Sequence, residues 1–170
     1  MTDIKREVIY SVTNFLYFDD KYLMLKRNKN AKVDANRLNG IGGKLEIGEN
    51  YLDAAIRETK EETGYEVSLN DIQFVGIIKL HGGYPQDWIM SFFKIKVPTL
   101  EIPHGNHVKE GELIWMDKDK VLTSEHELVD DLHYCFKEII KNEGIFFITE
   151  EVGEDEKIKE ISMSILPNKR

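Results

Sequence analysis

The stretch from Gly43 to Tyr65, GKLEIGENYLDAAIRETKEETGY, constrains the fold of this chain more than any other part. Glycines crowd its front, Asn50 can cap a helix N-terminus, and Gly64 stands where a left-handed C-terminal cap belongs. These end signals predict a loop, a helix over roughly residues 51–63, and a second loop. One face of this helix should dock on a sheet, and at helical spacing it comprises Leu52, Ala55, Ile56, Thr59 and Thr63.

Three glutamates of the predicted helix fall beside that face. Glu58, Glu61 and Glu62 are related by i, i+3 and i, i+4, so their carboxylates crowd into a single wedge. Like charges there cost stability unless cations neutralise them, and hard oxygen ligands suit Mg²⁺, or Mn²⁺ as a substitute, better than zinc. An acidic helix segment on its own is more often a solvated face. The residues around the wedge are what favour metal binding here.

Those residues stand at fixed intervals. Glu49 follows Gly43 after five residues, and after seven more comes the run RETKEETGY at 57–65. This pattern resembles the Nudix box, G-x5-E-x7-R-E-U-x-E-E-x-G-U, where U is a bulky apolar residue. Every fixed letter is present, and Thr59 and Tyr65 occupy the two U positions. By this resemblance the chain is identified as a member of the Nudix hydrolases.

The resemblance implies an α/β fold, the Nudix α/β/α sandwich, in which a mixed β-sheet lies between the Nudix-box helix and a C-terminal helix. We expect residues 1–170 to form one domain, with the box at 43–65, because 41% hydrophobic content suffices for one core. Apolar patterns predict strands at 7–18, 22–26, 66–69, 73–80, 88–97 and 110–115. A capping box at 124–127 predicts a second helix reaching Gly144, and residues 145–149 and 161–165 predict a closing hairpin.

The implied reaction is hydrolysis of a nucleoside diphosphate linked to a further group, most simply a (d)NTP giving NMP and pyrophosphate. The resemblance implies that Mg²⁺ is held by a set of four oxygen donors, namely the Gly42 carbonyl, Glu58, Glu61 and Glu62. Arg57 and Glu49 would brace each other and these glutamates, although an exposed i, i+4 pair with Glu61 would also account for Arg57.

The proton of the attacking water needs a carboxylate to accept it. Glu61 is one candidate for this base, and Glu110 is its competitor. Glu110 belongs to a segment that resembles the family strand carrying an additional carboxylate. Glu112 is the alternative to Glu110, because the alignment slips by two residues between two possible anchors.

Residues 37–44, RLNGIGGK, resemble the W-N-G-x-G-G-K segment of MutT-type 8-oxo-dGTP diphosphatases, with Leu38 in place of the aromatic residue. The resemblance implies that Asn39 hydrogen-bonds the purine edge, although asparagine is also a common turn residue. Lys44 can contact a phosphate or be a surface charge. A shared strand face of Trp88, Met90 and Phe92 can form a base-stacking wall or belong to the core.

Asp130 and Asp131 are expected in the first turns of the second helix, where several 8-oxo-dGTP diphosphatases read the oxidised purine. Acids are also favoured near any helix N-terminus, without a ligand. Two other functions remain open: a Nudix pyrophosphatase for ADP-ribose, a dinucleoside polyphosphate or capped RNA, and a non-catalytic nucleotide sensor. A sensor would be expected to lose box glutamates, and this chain keeps them all.

Net charge and apolar content limit the kinds of partner that this chain can bind. A net charge of −8 disfavours stable binding to nucleic acid, and the chain has neither a membrane-spanning apolar run nor an apolar signal segment. We therefore expect a cytoplasmic monomer or homodimer acting on a small nucleotide. Cys135, the single cysteine, is expected to be a core thiol.

Overall fold

The computed structural model describes residues 5–169, which form ten strands and two helices. The strands are β1 (Val8–Phe18), β2 (Lys21–Arg27), β3 (Leu38–Asn39), β4 (Ile41–Lys44), β5 (Ile72–Gly82), β6 (Asp87–Lys96), β7 (His107–Val108), β8 (Gly111–Asp117), β9 (Gly144–Val152) and β10 (Ile158–Pro167). The helices are α1 (Tyr51–Thr63) and α2 (Leu132–Lys141).

The strands form one mixed sheet in the order β10-β9-β5-β6-β1-β2-β8-β7, with β3 beside β2 and β4 beside β1. The β1–β6 and β5–β9 pairs are parallel, and the other pairs are antiparallel. Successive residues of a strand face opposite ways, so Phe15 joins the core around α2 while Leu16 joins the core around α1. The helices therefore cover opposite faces of the sheet, and the predicted sandwich is confirmed.

Helix α1 has the predicted bounds and caps, but its predicted buried face was partly wrong. The Asn50 side chain accepts hydrogen bonds from the backbone N–H groups of Leu52 and Asp53, and Gly64 adopts φ +81°. The residues that face the sheet are Ala54, Ala55, Glu58, Thr59 and Thr63, whereas Leu52 is 40% exposed and Ile56 is half-buried.

A buried asparagine of β1 explains this orientation of α1. Asn14 Nδ2 donates to the Ala55 carbonyl at 2.9 Å and to Thr59 Oγ1 at 3.1 Å. Small side chains let the helix approach closely enough for these bonds, and a buried amide needs such partners. The alanine pair therefore lies inside, Leu52 lies outside, and Glu58 is carried to the inner face.

Helix α2 begins later than its predicted capping box. Residues 127–129 run extended beside β3, because Leu38 N–H donates to the Glu127 carbonyl at 2.8 Å and Val129 N–H donates to the Leu38 carbonyl at 3.0 Å. These bonds hold the segment out of the helix, and Ser124 Oγ only accepts from His126 N–H in a local turn. Asp131 is thus the N-cap residue of α2 and Asp130 precedes it, so the two acids lie at the helix N-terminus but not within its first turns.

The predicted strand at 66–69 was also wrong. Its end belongs to a 3₁₀ turn, Leu69–Asp71, in which the Asp71 carboxylate accepts from both the N–H and the hydroxyl of Ser68. The other predicted strands and the closing hairpin are present, with somewhat different ends. Within residues 5–169, no helix is long and apolar enough to cross a bilayer.

Candidate active site

The glycine segment before α1 lies against β1 at very close range. β4 pairs antiparallel with β1, which sets Gly42 opposite Thr13 and Gly43 opposite Val12. A Cβ on Gly42 would lie 2.0 Å from the Val12 carbonyl oxygen, and one on Gly43 would lie 2.4 Å from Glu58 Oε1. Only glycine leaves room for this approach, so the backbone passes directly beside the Glu58 carboxylate.

Arg57 joins this segment to the box glutamates. Its Nε lies 3.0 Å from Glu49 Oε2, and its Nη2 lies 2.6 Å from Glu49 Oε1. Nη1 donates to Glu58 Oε1 at 2.7 Å and more weakly to Glu61 Oε2 at 3.3 Å, while Nη2 also reaches the Lys44 carbonyl. The hydrogen bonds from Arg57 lower the pKa of Glu49, and the bonds to Glu49 raise the pKa of Arg57. Arg57 therefore fixes the orientation of several carboxylates at once.

Glu62 carries a buried carboxylate oxygen without a partner. Among residues 5–169, Glu62 Oε2 has no hydrogen-bond donor. Burial, followed by repulsion from Glu110 and Glu58, raises the pKa of Glu62 to about 8. Burial also raises the pKa of Glu58, against the opposing effect of Arg57. Negative charge in this wedge is thus only partly neutralised by the protein.

A divalent cation fits this donor set. An unpaired buried carboxylate oxygen and neighbouring glutamates are hard ligands of the kind that Mg²⁺ prefers. The donors are nevertheless not arranged in advance: within the part of the chain that the structure describes, no three His, Cys, Asp or Glu side chains converge as a metal cluster. Glu61 is 59% exposed, and its Oε2 lies 3.3 Å from Arg57 Nη1.

The two alternative carboxylates after β7 lie in different surroundings. Glu110 is half-buried, and its charge contributes to the raised pKa of both Glu58 and Glu62. Glu112 is exposed on β8, opposite Lys26 of β2. The structure therefore brings Glu110 to the box glutamates and leaves Glu112 on the strand surface.

A cavity of about 440 Å³ lies beside the glycine segment. Asn39, Lys44, Trp88 and Met90 line it together with Gly42 and Gly43. Lys44 Nζ lies 5.4 Å from the centre of the Trp88 ring, and Asn39 Oδ1 accepts from Gly40 N–H at 2.7 Å. Phe92, in contrast, is fully buried in the core and is not part of the wall.

A second cavity of about 570 Å³ shares Asp34 and Tyr84 with the first. Asp130 lines this second cavity, where its Oδ1 lies 2.5 Å from Arg37 Nη2. Arg37 also pairs with Asp34 at 3.1 Å and with Glu127 at 3.4 Å. Asp130 and Asn39 therefore line different, adjoining cavities, and Asp131 lines neither of them.

Sequence reasoning missed Glu150, which is only 2% exposed on β9. Its Oε1 has no hydrogen-bond partner in the described residues. Burial, then repulsion from Asp131, raises the pKa of Glu150 to about 8, and burial raises the pKa of Asp131 to about 7. The alternation of β9 was the available signal, because it sets Glu150 on the same face as Phe146 and Ile148.

The strand order, the box helix and the glycine segment together are features of one class of protein. Comparison with known proteins identifies that class. The family model described as NUDIX domain matches residues 9–138. The chain belongs to this family and is a Nudix hydrolase.

Two relatives show how far the similarity extends. An ADP-ribose pyrophosphatase of Methanocaldococcus jannaschii is 28% identical over 133 residues, which are 75% of this chain and 76% of that protein. An uncharacterized Nudix hydrolase of Bacillus subtilis, YvcI, is 33% identical over 113 residues, 65% of this chain and 67% of its own length.

Solved structures show the same fold. A MutT protein from Bacillus halodurans superposes with a TM-score of 0.77 at 23% identity, covering 91% of this chain and 97% of that one. A MutT protein from Methanosarcina mazei gives a TM-score of 0.65, also at 23% identity, covering 82% and 98%.

Proposed function

We propose that this chain hydrolyses a (deoxy)nucleoside triphosphate, with an oxidised purine such as 8-oxo-dGTP preferred, to NMP and pyrophosphate. The observation that carries the proposal is the cavity of about 440 Å³, a size typical of small-ligand sites. Asn39 and Trp88 supply an amide and an aromatic surface for a base, and Gly42 and Gly43 line the same cavity next to Glu58. A base there would leave its phosphates at the box glutamates.

In this proposal the Gly42 carbonyl, Glu58, Glu61 and Glu62 hold Mg²⁺. When bound, the ion would neutralise part of the polyphosphate charge and lower the pKa of a water molecule. Arg57 and Glu49 keep the glutamates in place, and Lys44 binds a phosphate from the cavity wall. Glu61 accepts the proton of the attacking water, since it is the most exposed of the box glutamates; Glu110 is its competitor.

Asp130 and Asp131 have a less direct part in this proposal. Asp130 could read the purine only after Arg37 releases it, because that ion pair now occupies its Oδ1. Asp131 lines neither cavity, and its charge acts on Glu150 instead. Asn39 is therefore the base-contacting residue that the geometry supports best.

A hydrolysis screen with Mg²⁺ tests the substrate. We expect kcat/KM for 8-oxo-dGTP to exceed that for dGTP by at least about tenfold, which is about 1.4 kcal/mol of discrimination. Asn39→Ala should reduce that ratio, whereas Glu61→Gln should lower the rate on both nucleotides equally. Equal rates on dGTP and 8-oxo-dGTP would contradict the preference for the oxidised purine.

ADP-ribose is the second candidate substrate, favoured by the pyrophosphatase from M. jannaschii and by the second cavity. That cavity adjoins the first through Asp34 and Tyr84, so it offers space for a group beyond the diphosphate. The products separate the two proposals, because ADP-ribose would give AMP and ribose 5-phosphate without pyrophosphate. A higher kcat/KM for ADP-ribose than for 8-oxo-dGTP would favour this alternative.

A further inference from the structure

Strand β10 forms one end of the sheet and presents a ten-residue outer edge, whereas β7 at the other end has only two residues. The N–H and C=O groups along the outer edge of a terminal strand can pair with another chain. A long edge of this kind needs either protection or a partner.

The protection on β10 is confined to its ends. Lys159 and Glu160 lie at its start, where the pairing with β9 is irregular between Ile158 and Glu160, and Pro167 ends it. Charges, irregular pairing and proline all discourage strand addition. Between them, residues 161–166 read ISMSIL and carry no charge.

The centre of this edge is self-complementary. Residues 161–165, I-S-M-S-I, read the same in both directions about Met163. If two copies pair antiparallel about a two-fold axis at Met163, Ile161 of each copy faces Ile165 of the other, and Ser162 faces Ser164. Like residues that meet across such a pair have matching size and polarity.

The apolar side chains of this segment are partly uncovered on one face. Met163 and Ile165 pair with Ile148 and Phe146 of β9, which places them on the face that carries α2. They are 38% and 44% exposed, respectively, while Ile161 packs against the core. Exposed apolar residues in a row beside an open edge are suited to a partner that continues both the sheet and the row.

The symmetric register with its axis at Met163 is the one in which residues 161–165 meet like residues throughout. With the axis at Met163, both α2 helices lie on the same face of the joined sheet and the two apolar rows become continuous. A shift of one residue would set Ser162 against Met163 and place the helices on opposite faces. In the symmetric register no like charges face each other, because Glu160 meets Leu166 and Lys159 meets Pro167.

We propose that β10 pairs with β10 of a second copy of this chain, antiparallel about Met163, to form a reversible homodimer with a continuous sheet. The contact surface is limited to one strand and its flanking side chains, so the dimer dissociates on dilution. The proposal is independent of the substrate.

Sedimentation velocity over about a hundredfold range of protein concentration tests the dimer. The wild-type chain should shift from monomer to dimer as concentration rises. Met163→Lys and Met163→Glu should each remain monomeric, because each variant sets like charges directly opposite one another at the axis. An equimolar mixture of the two variants should dimerise again, since the opposed charges then attract.

Thr149→Lys is the matched control, because Thr149 is exposed on the same hairpin but lies on β9, away from the edge. It should dimerise as the wild type does. A wild-type chain that stays monomeric throughout the range would overturn the proposal. So would single variants that dimerise like the wild type, or a mixture that does not dimerise.

Discussion

Arg57 binds Glu49 at two points, with Nε 3.0 Å from Oε2 and Nη2 2.6 Å from Oε1. Glu49 lies in the loop before α1 and Arg57 lies on the helix itself, so this pair holds the loop against the helix. A planar guanidinium can make this two-point contact, whereas an ammonium group cannot.

Arg57→Lys should therefore keep the positive charge but lose the orientation of the glutamates. We expect kcat to fall by about tenfold or more with little change in the folded fraction, as is typical when a supporting contact is lost. Steady-state kinetics and circular dichroism measure the two quantities. Lys60→Ala is the control, because Lys60 lies on the same helix and its pair with Glu66, beyond the helix end, is exposed; this variant should leave kcat unchanged. An Arg57→Lys enzyme with wild-type kcat would show that the two-point contact does not position the site.

Glu110→Gln and Glu112→Gln distinguish the two alternative carboxylates. Of these two residues, only Glu110 contributes to the raised pKa of Glu58 and Glu62. Only its substitution should therefore reduce kcat, by about a hundredfold if Glu110 takes part in proton transfer or metal binding. Both variants remove one negative charge from the same segment, so each is the other's control. A larger loss in Glu112→Gln would assign the role to that residue instead.

Glu62→Gln tests whether the buried carboxylate is costly without a cation. At pH 9, above its raised pKa of about 8, the side chain is ionised, and its buried Oε2 has no hydrogen-bond donor among residues 5–169. We expect the variant to be more stable than the wild type in EDTA by about 1–3 kcal/mol, and to be inactive. Mg²⁺ should raise the melting temperature of the wild type and have much less effect on that of Glu62→Gln. A wild type whose melting temperature ignores Mg²⁺ would contradict metal binding at this carboxylate.

Glu150 should make stability depend on pH. Its pKa is raised from 4.5 to about 8 in the folded chain, so between these values the folded chain binds more protons than the unfolded chain. Stability must then decrease as pH rises through this window. Glu150→Gln removes the ionisation, so at pH 8 it should be more stable than the wild type by about 1–3 kcal/mol, with a small difference at pH 5.

Urea unfolding at both pH values measures this difference, and Glu151→Gln is the control because Glu151 is exposed on the same strand. Asp131 also has a raised pKa and remains in the variant, so the pH dependence should become weaker rather than vanish. An unchanged pH dependence in Glu150→Gln would assign the effect to other groups.

Local features of the fold followed from the sequence. The bounds of α1 were predicted because Asn50 and Gly64 act on hydrogen bonds within a few residues of themselves. The closing hairpin was predicted for a similar reason, since its strands are close in the chain. Membership of the Nudix family followed from the box, where residue types and spacing are fixed within 23 positions from Gly43 to Tyr65.

Features that depend on contacts between distant parts of the chain could not be predicted from the sequence. The predicted start of α2 was wrong because the backbone of Leu38, far away in the chain, forms hydrogen bonds with the backbone of residues 127 and 129. Leu52 was placed inside because the spacing of α1 does not show that Asn14 needs the Ala55 carbonyl.

The sequence by itself determined the family, the helix that carries Glu58, Glu61 and Glu62, and the glycines beside them, because spacing and backbone freedom are local properties. Only the tertiary structure decided that Glu110 reaches this wedge, that Asp130 pairs with Arg37, and that Glu150 is buried. These relations arise when the sheet brings distant segments together, and pairing across a sheet is not encoded by any short stretch of the chain.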